Sequence, residues 1–311
     1  MLSIIFDSID KESGSNSAKY IAENINHHEK SDTLTMKKYL SNDFNLDKLV
    51  DTLDELELWS APFGLKLLNY IDYKPNISAI DIGFGTGFPL TELAMRLGES
   101  STVYGIDPWK KAIERVNKKI EYYGIENIKI IEGISESIPL DDNSIDLITS
   151  NNGINNVKDI DKVLSECSRI IRKSGQFIQT MNLDKSMFEF YGQFESVLSE
   201  FHMDNEIDLM HQHIAHKRPP LDYIISITQK YGFIIKDLEH DQFDYKFTNG
   251  TAMLNHYFIR LAFMDSWIKL LPVDKVEQVF DIVESRLNEQ SKKLGCLKLS
   301  IPYVMINAIK G

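Results

Sequence analysis

A chain of 311 residues with 43% hydrophobic content is long enough to bury a large core and exceeds one minimal domain. Its formal net charge of −12 at pH 7 opposes a broad phosphate-binding surface, so DNA and RNA are poor partners unless the basic residues cluster. The only cysteines, Cys167 and Cys296, exclude a disulfide framework and fit a reducing compartment.

The opening Met1-Leu2-Ser3-Ile4-Ile5-Phe6 is apolar but short, lacks a basic start and runs into Asp7 and Asp10, unlike a secretory signal. No stretch reaches the length of a membrane-spanning helix, and cytoplasmic residence is the expectation. Residues up to about Lys30 are polar, with a flexible stretch expected at Ser13 to Ser17. Helical patterns follow at Leu46 to Leu58 and Phe63 to Ile71, on either side of Pro62. Between them Trp59 and Phe63 form an aromatic patch that either packs into the core or covers a ligand.

The most informative stretch is Ala79-Ile80-Asp81-Ile82-Gly83-Phe84-Gly85-Thr86-Gly87-Phe88-Pro89. Apolar residues from Asn76 to Ile82 have strand density, whereas Leu90, Leu93, Ala94 and Leu97 recur at helical spacing. The reading is strand, glycine turn, helix. Glycines at such a junction reach dihedrals closed to other residues and let a ligand approach the main chain, while the next helix offers unpaired N–H groups. A tight turn that binds nothing fits the same residues. A dinucleotide fingerprint needs a third glycine where this chain has Phe88, which disfavours a dinucleotide-dependent oxidoreductase.

Ser101 to Asp107 reads as a second strand with an acid at its carboxyl end, about twenty residues past the turn. Asp107 can accept two hydrogen bonds from a ribose diol, or N-cap a helix from Trp109 to Tyr123 with Pro108 at its first position. Lys110, Lys111, Lys118 and Lys119 on that helix mix with Glu114 and Glu121 and read as a solvated face rather than a nucleic-acid patch. Third and fourth strands are expected at Asn127 to Glu132 and Ser144 to Asn151. The fourth empties into Ser150-Asn151-Asn152-Gly153-Ile154-Asn155-Asn156, either a solvated turn or part of a site at the strand ends, where open α/β sheets bind ligands.

The D-x-G-x-G-x-G pattern of Asp81 to Gly87, with the strands ordered after it, resembles motif I and the core of the class I S-adenosylmethionine-dependent methyltransferases, over about residues 60 to 182. The resemblance implies a Rossmann-like, doubly wound α/β fold with a seven-stranded sheet of order 3-2-1-4-5-7-6. It also implies S-adenosylmethionine as cofactor and a small-molecule methyl acceptor. The glycine turn, Asp81, Gly83, Gly85, Gly87 and Phe88, would lie by the amino-acid end of the cofactor. Asp107 would take the ribose hydroxyls, and Pro108 and Trp109 would wall the adenine. The family's adenine-binding aspartate is replaced by Ile134, leaving Ser135 or Glu136 for that contact. Asn151 is expected near the transferred methyl group or the cofactor's methionine portion. Trp59 and Phe63 resemble cofactor-covering segments of the family.

A helix at Ile160 to Ile171 and a fifth strand at Gly175 to Met181 complete the cofactor half. An insertion follows at about 184–217, then a helix opened by Pro219-Pro220, carrying Leu221, Ile224, Ile225 and Thr228 on one face and closed by Gly232. The sixth strand is expected at Phe233 to Phe247, with Phe243, Tyr245 and Phe247 on one side. A proline is unfavourable inside a central strand, so the seventh is expected after Pro302, at Tyr303. The second insertion, at about 250–294, places His256, Tyr257, Phe258, Phe263 and Trp267 on one helix. It either packs on the sheet or walls a substrate pocket, with His256 and Tyr257 as candidate contacts. His211, His213 and His216 lack a clear partner ligand pattern, so no metal is assigned.

The division expected is an N-terminal helical segment and cofactor cover over 1–60, then a methyltransferase domain over 61–311. Catalysis by in-line displacement requires positioning more than a catalytic triad, and no catalytic base is assigned. A non-catalytic S-adenosylmethionine-binding partner subunit is the alternative from another functional class.

Overall fold

A computed structural model describes residues 37–40, 50 and 58–311; the readings for Ser13 to Ser17 and for a helix at Leu46 to Leu58, and most of the 1–60 segment, lie outside the described residues. The elements in chain order are α1 (Ala61–Asn69), β1 (Ser78–Ile82), α2 (Leu90–Leu97), β2 (Thr102–Asp107), α3 (Lys110–Tyr123), β3 (Ile128–Glu132), β4 (Ile145–Asn151), α4 (Ile160–Ile170) and β5 (Ile171–Asn182). They continue with α5 (Phe188–Glu200), α6 (Asp204–Lys217), α7 (Leu221–Lys230), β6 (Phe233–Phe247), α8 (Gly250–Asn255), α9 (Tyr257–Ile259), α10 (Asp265–Ile268), α11 (Val276–Leu294) and β7 (Leu297–Lys310).

The strands form one sheet of order β3-β2-β1-β4-β5-β7-β6, as expected. β3, β2, β1, β4 and β5 are parallel, and β7 runs antiparallel to both β5 and β6. Parallel strands covered on both faces need apolar side chains in both directions, and adjacent residues here divide that way. Ala79, Leu147 and Ile178 pack with Leu67, Leu90, Leu93 and Val116 of α1, α2 and α3. Ile80, Ile148 and Phe177 pack on the other face with Val163, Leu164, Ile224 and Ile227 of α4 and α7.

β7 begins at Leu297, not after Pro302. Pro302 pairs with Gln242 of β6, while the β5 ladder ends at Asn182 opposite Tyr303. The Pro302 carbonyl faces the β5 side, where it accepts from the Leu183 N–H (2.9 Å). Its missing N–H therefore falls past the end of β5 and costs the β6 ladder nothing. As a result β6 and β7 run on together beyond the rest of the sheet, as a ribbon of Gln242–Phe247 against Leu297–Pro302.

The second insertion is not one helix. α8 ends at Asn255, His256 is extended (φ −63°, ψ 132°), and α9 then continues through a π-helical segment, Arg260–Met264, into α10. Gly250 sits so close to α11 that an added Cβ would lie 2.5 Å from the Leu287 Cβ. With α8 pinned there, the chain turns at His256 to bring Phe258, Phe263 and Trp267 into a third core with Trp59, Phe63, Phe190 and Phe280.

Gly105 in β2 lies under the glycine turn, where a Cβ would meet Leu90 Cδ2 at 2.5 Å and Phe84 Cδ1 at 2.8 Å. Gly105→Val overfills this space and is expected to destabilise the fold by roughly 1–3 kcal/mol, read as a lower urea midpoint. An unchanged midpoint would show that Leu90 and Phe84 have room to give.

Candidate functional site

The carboxyl ends of β1 and β4 meet at the point where strand order reverses, the place at which doubly wound sheets open a crevice. Main chain packs on main chain here. A Cβ on Gly83 would lie 3.1 Å from the Gly153 Cα, and one on Gly153 would lie 2.4 Å from the Ile82 carbonyl oxygen. Gly83, Gly85 and Gly87 have φ of 74°, 56° and 112°, left-handed values that side chains resist. The turn is fastened by the Gly83 N–H to the Ile106 carbonyl (2.9 Å) and the Gly87 N–H to the Phe84 carbonyl (2.9 Å).

Asp107, at the end of β2, ties this turn to the next helix. Its Oδ2 accepts from the Gly85 N–H and its Oδ1 from the Trp109 N–H, each at 2.9 Å. The latter bond closes a turn ahead of α3. The helix therefore starts at Lys110 with Trp109 as its N-cap and no side-chain cap, so Asp107 does not cap it and Pro108 lies outside its first turn. Each Asp107 oxygen keeps a further lone pair after these bonds. Burial raises its pKa to about 6, against the lowering effect of the two N–H groups.

Asp81, inside β1, is fully buried. Its Oδ1 accepts from Thr149 Oγ1 (2.7 Å), and its Oδ2 has no partner. Burial raises its pKa to about 7, the Thr149 bond opposes the shift, and the charge of Asp107 adds to it. A buried acceptor left open in this way demands an explanation.

Across the crevice the ends of β4 and β5 carry a continuous amide network. Thr180 Oγ1 donates to Asn151 Oδ1 (2.9 Å), and Asn151 Nδ2 donates to the Ser60 carbonyl (3.1 Å), which ties the rim to the entry of α1. Asn155 Nδ2 donates to Asn152 Oδ1 (3.0 Å) and to Asn182 Oδ1 (3.3 Å). Thr149, Thr180 and Asn182 escaped the sequence reading, which held Asn155 within the polar run that follows β4. The signal for the β5 pair was the run Gln179-Thr180-Met181-Asn182, where buried polar side chains end the strand after Phe177 and Ile178.

Ser135 is buried and Ile134 is exposed. Glu136 Oε1 accepts the N–H groups of Lys158 (3.1 Å) and Asp159 (3.4 Å). Trp109 is buried and Pro108 is exposed. Phe88 packs against α1, where a Cβ on Gly64 would reach its ring at 2.3 Å and Asn151 Nδ2 at 3.1 Å.

Trp59 and Phe63 lie in the aromatic layer. Phe63 stands edge-on to Tyr303 (4.8 Å between centroids) and Phe243 (5.3 Å), and Trp59 lies 5.3 Å from Phe258. The Trp59 indole N–H is buried without an acceptor. His256 packs edge-on to Phe247 (5.4 Å), burial lowers its pKa, and the neighbouring Tyr257 is exposed. The structure thus gathers Asp81, the three glycines, Asp107 and Asn151 at one rim, and sets His256 and Tyr257 apart beside the β6–β7 ribbon. Among the described residues no histidine, cysteine and carboxylate group is arranged to hold a metal; His211 faces Glu195 (3.4 Å).

Residues 80–179 match the family model described as a methyltransferase domain. This stretch carries both crevice carboxylates and Asn151, Asn152 and Asn155 of the amide rim. It is 29% identical over 123 residues to demethylmenaquinone methyltransferase of Bacillus mycoides (strain KBAB4), covering 40% of this chain and 52% of that protein. It is 30% identical over 131 residues to an uncharacterized 37.1 kDa protein in transposon TN4556 of Streptomyces fradiae, covering 42% and 37%. The matched part spans about half the length of the first of these relatives. In structure it is similar to YcgJ of Bacillus subtilis, with a TM-score of 0.52 and 18% identity over 80% of this chain and 98% of that one. It is also similar to a Haemonchus contortus phosphoethanolamine N-methyltransferase, with a TM-score of 0.51 and 15% identity over 88% and 59%. These structural likenesses establish the fold.

The raised pKa of Asp81 has a definite sign. The folded chain holds a proton that the unfolded chain releases near pH 4, so stability from this position is full below that pH and is lost as pH rises through about 7. Asp81→Asn keeps an acceptor for Thr149 and removes the cost of ionisation. In urea unfolding of the ligand-free chain it is expected to gain on the order of 2–4 kcal/mol at pH 8 and little near pH 4. An equal effect at both pH values would rule out this account of Asp81.

Proposed function

We propose that this chain is an S-adenosylmethionine-dependent methyltransferase that moves a methyl group to a small-molecule acceptor by in-line displacement. The observation that carries this reading is the Asp81 Oδ2, buried and unpartnered beside a turn whose three glycines have positive φ. An amino-acid ammonium supplies the missing donor and charge. The spare lone pairs of Asp107 suit a ribose diol, and Trp109 and Ser135 are the candidates beside the adenine, since Glu136 is engaged with the chain at Lys158 and Asp159.

The cofactor, when bound, supplies a methyl already activated by its sulfonium. The chain's own task is to hold a nucleophile in line and keep water out, and such positioning can supply roughly 7–11 kcal/mol. Asn151, held between Thr180 and Ser60, is fixed in orientation and is our candidate beside the reacting methyl. The aromatic layer around Trp59 and Phe63 offers a dry acceptor side, with His256 and Tyr257 as more distant candidates. No residue is assigned as a base.

A small acceptor is supported by the net charge of −12, which opposes nucleic acid, and by the printed name of the Bacillus relative. Among the described residues no helix is long and apolar enough to cross a membrane. Cys167 and Cys296 are unpaired, which supports our placing the chain in the cytoplasm. We take 61–311 as the methyltransferase domain with insertions at 184–217 and 250–294.

Calorimetry with S-adenosylmethionine and S-adenosylhomocysteine is expected to show binding of both to the wild-type chain. Gly85→Arg places a side chain at a left-handed position in the turn, and Asp107→Ala removes the acceptor of two main-chain bonds and of the diol. Each is expected to weaken binding roughly tenfold to hundredfold or more. Undiminished binding in both folded variants would remove the site.

A further inference from the structure

Arg218, which ends α6, is 4% exposed. Its Nη1 donates to the Ser186 carbonyl at 3.3 Å, and its guanidinium lies 5.5 Å over the Tyr191 ring. Among the described residues no carboxylate pairs with it. A guanidinium carries five donors in a rigid fork, and burying a cation without a counter-charge is costly. This one is therefore arranged for an anion that none of the described residues provides.

Arg218 lines a narrow cleft, open at its mouth, between the β4–β5 rim and the two insertions. Lys217 and His213 of α6 share its wall, and among the described residues no acidic side chain lines it, in a chain whose net charge is −12. Asn155 lines it as well, and its Oδ1 is buried without a donor. The amide orientation is fixed, because Asn155 Nδ2 donates to two other asparagines, Asn152 and Asn182. The cleft thus offers one cation seeking an oxyanion and one acceptor seeking an O–H or N–H.

Its place in the fold connects it to the crevice. Asn152 follows Asn151 on the rim, and the Asn152 N–H donates to the Thr180 carbonyl (2.9 Å) while Thr180 Oγ1 holds Asn151. The rings of Tyr191 and Phe263 give the cleft apolar walls, and Tyr191 is fixed by a bond from Trp267 Nε1 (3.1 Å).

We propose that this cleft binds the methyl acceptor through a carboxylate or phosphate held by Arg218, so that the acceptor is a small molecule carrying an oxyanion and a nearby O–H or N–H. The inference rests on the methyltransferase reading above, from which it takes the position of the methyl. Arg218 is a specificity residue on this account, set one amide network away from the reacting carbon.

The test is calorimetry of the full chain with benzoate and phenyl phosphate, against benzamide as the uncharged isostere of benzoate. The expected result is millimolar or tighter binding of at least one anion, roughly tenfold or more tighter than benzamide, and lost by tenfold or more in Arg218→Gln. Binding of benzoate assigns a carboxylate and binding of phenyl phosphate assigns a phosphate; both outcomes support the proposal. Because Arg218→Gln can fail to fold, a second variant, Ser266→Phe, fills the cleft from its α10 wall while keeping Arg218, and is also expected to abolish binding. Equal affinity for benzamide, no binding of either anion, or unchanged binding in a folded variant overturns the proposal. The same samples are titrated with S-adenosylmethionine. Cofactor bound without anion sinks this inference alone, whereas anion bound without cofactor sinks the methyltransferase reading and leaves an anion cleft.

Discussion

The crevice depends on two carboxylates enclosed at its floor, to which no cationic side chain among the described residues is hydrogen-bonded. Asp107 supplies the acceptors that hold Gly85 and Trp109, so the shape of the glycine turn and the entry of α3 both rest on its side chain. Asp81 lies in the strand beneath, bonded on one oxygen only. Burial makes the ionised form of each expensive, and their proximity raises the cost at Asp81. A cationic ligand group relieves that cost directly, because one opposite charge in a low-dielectric site is worth far more than at the surface. The fold tolerates the arrangement because main chain fills the space around it. Gly83 and Gly153 leave no room for side chains between the strand ends, and the surrounding Ile80, Ile82 and Ile106 are fully buried.

The region above the crevice follows from what happens at Pro302. Because β5 stops opposite Tyr303, β6 and β7 leave the sheet as a free ribbon, whose Phe243, Tyr245 and Phe247 are half-buried on one side. Phe258, Phe263 and Trp267 from the second insertion, with Phe190 and Phe194 from the first, close over that side to form the aromatic core. Trp59 and Phe63 join the same core from α1. A hydrogen bond from Tyr303 to Asp241 (3.2 Å) and one from Asn151 to Ser60 link this layer back to the sheet. The added helices are therefore built on the last two strands, and α1 joins them to the rim.

What was legible in the sequence was whatever local rules determine. The glycine turn announces itself because left-handed dihedrals admit few other residues, and the strand order came with the family resemblance that the turn carries. The extent of β7 was not legible, since whether a proline interrupts a strand depends on which neighbour its missing N–H would face. That neighbour, β5, lies more than a hundred residues away in sequence and ends just where the proline needs it to. The break at His256 has a similar origin. Its residues have helical spacing, but close packing of Gly250 on α11 redirects the chain. Arg218, just before Pro219-Pro220, carries no sequence signal of its own, and only tertiary packing makes it a buried charge.

These placements give the rim a division of charge. On the β1–β2 side stand carboxylates suited to a cation; on the β4–β5 side stand neutral amides, and beyond them a buried guanidinium. On the proposed reading a sulfonium lies over the first and an anionic acceptor is anchored by the second. Transfer of a methyl from a sulfonium to a nucleophile disperses the cationic charge as the bond forms, and an environment poor in water favours loss of separated charge over its retention. Amides held by Thr180 and Ser60 at fixed orientation need little rearrangement as that charge moves, which is the property expected of a preorganised site. The aromatic layer over the rim then has a chemical use beyond packing, since it keeps water from solvating the charges that the reaction removes.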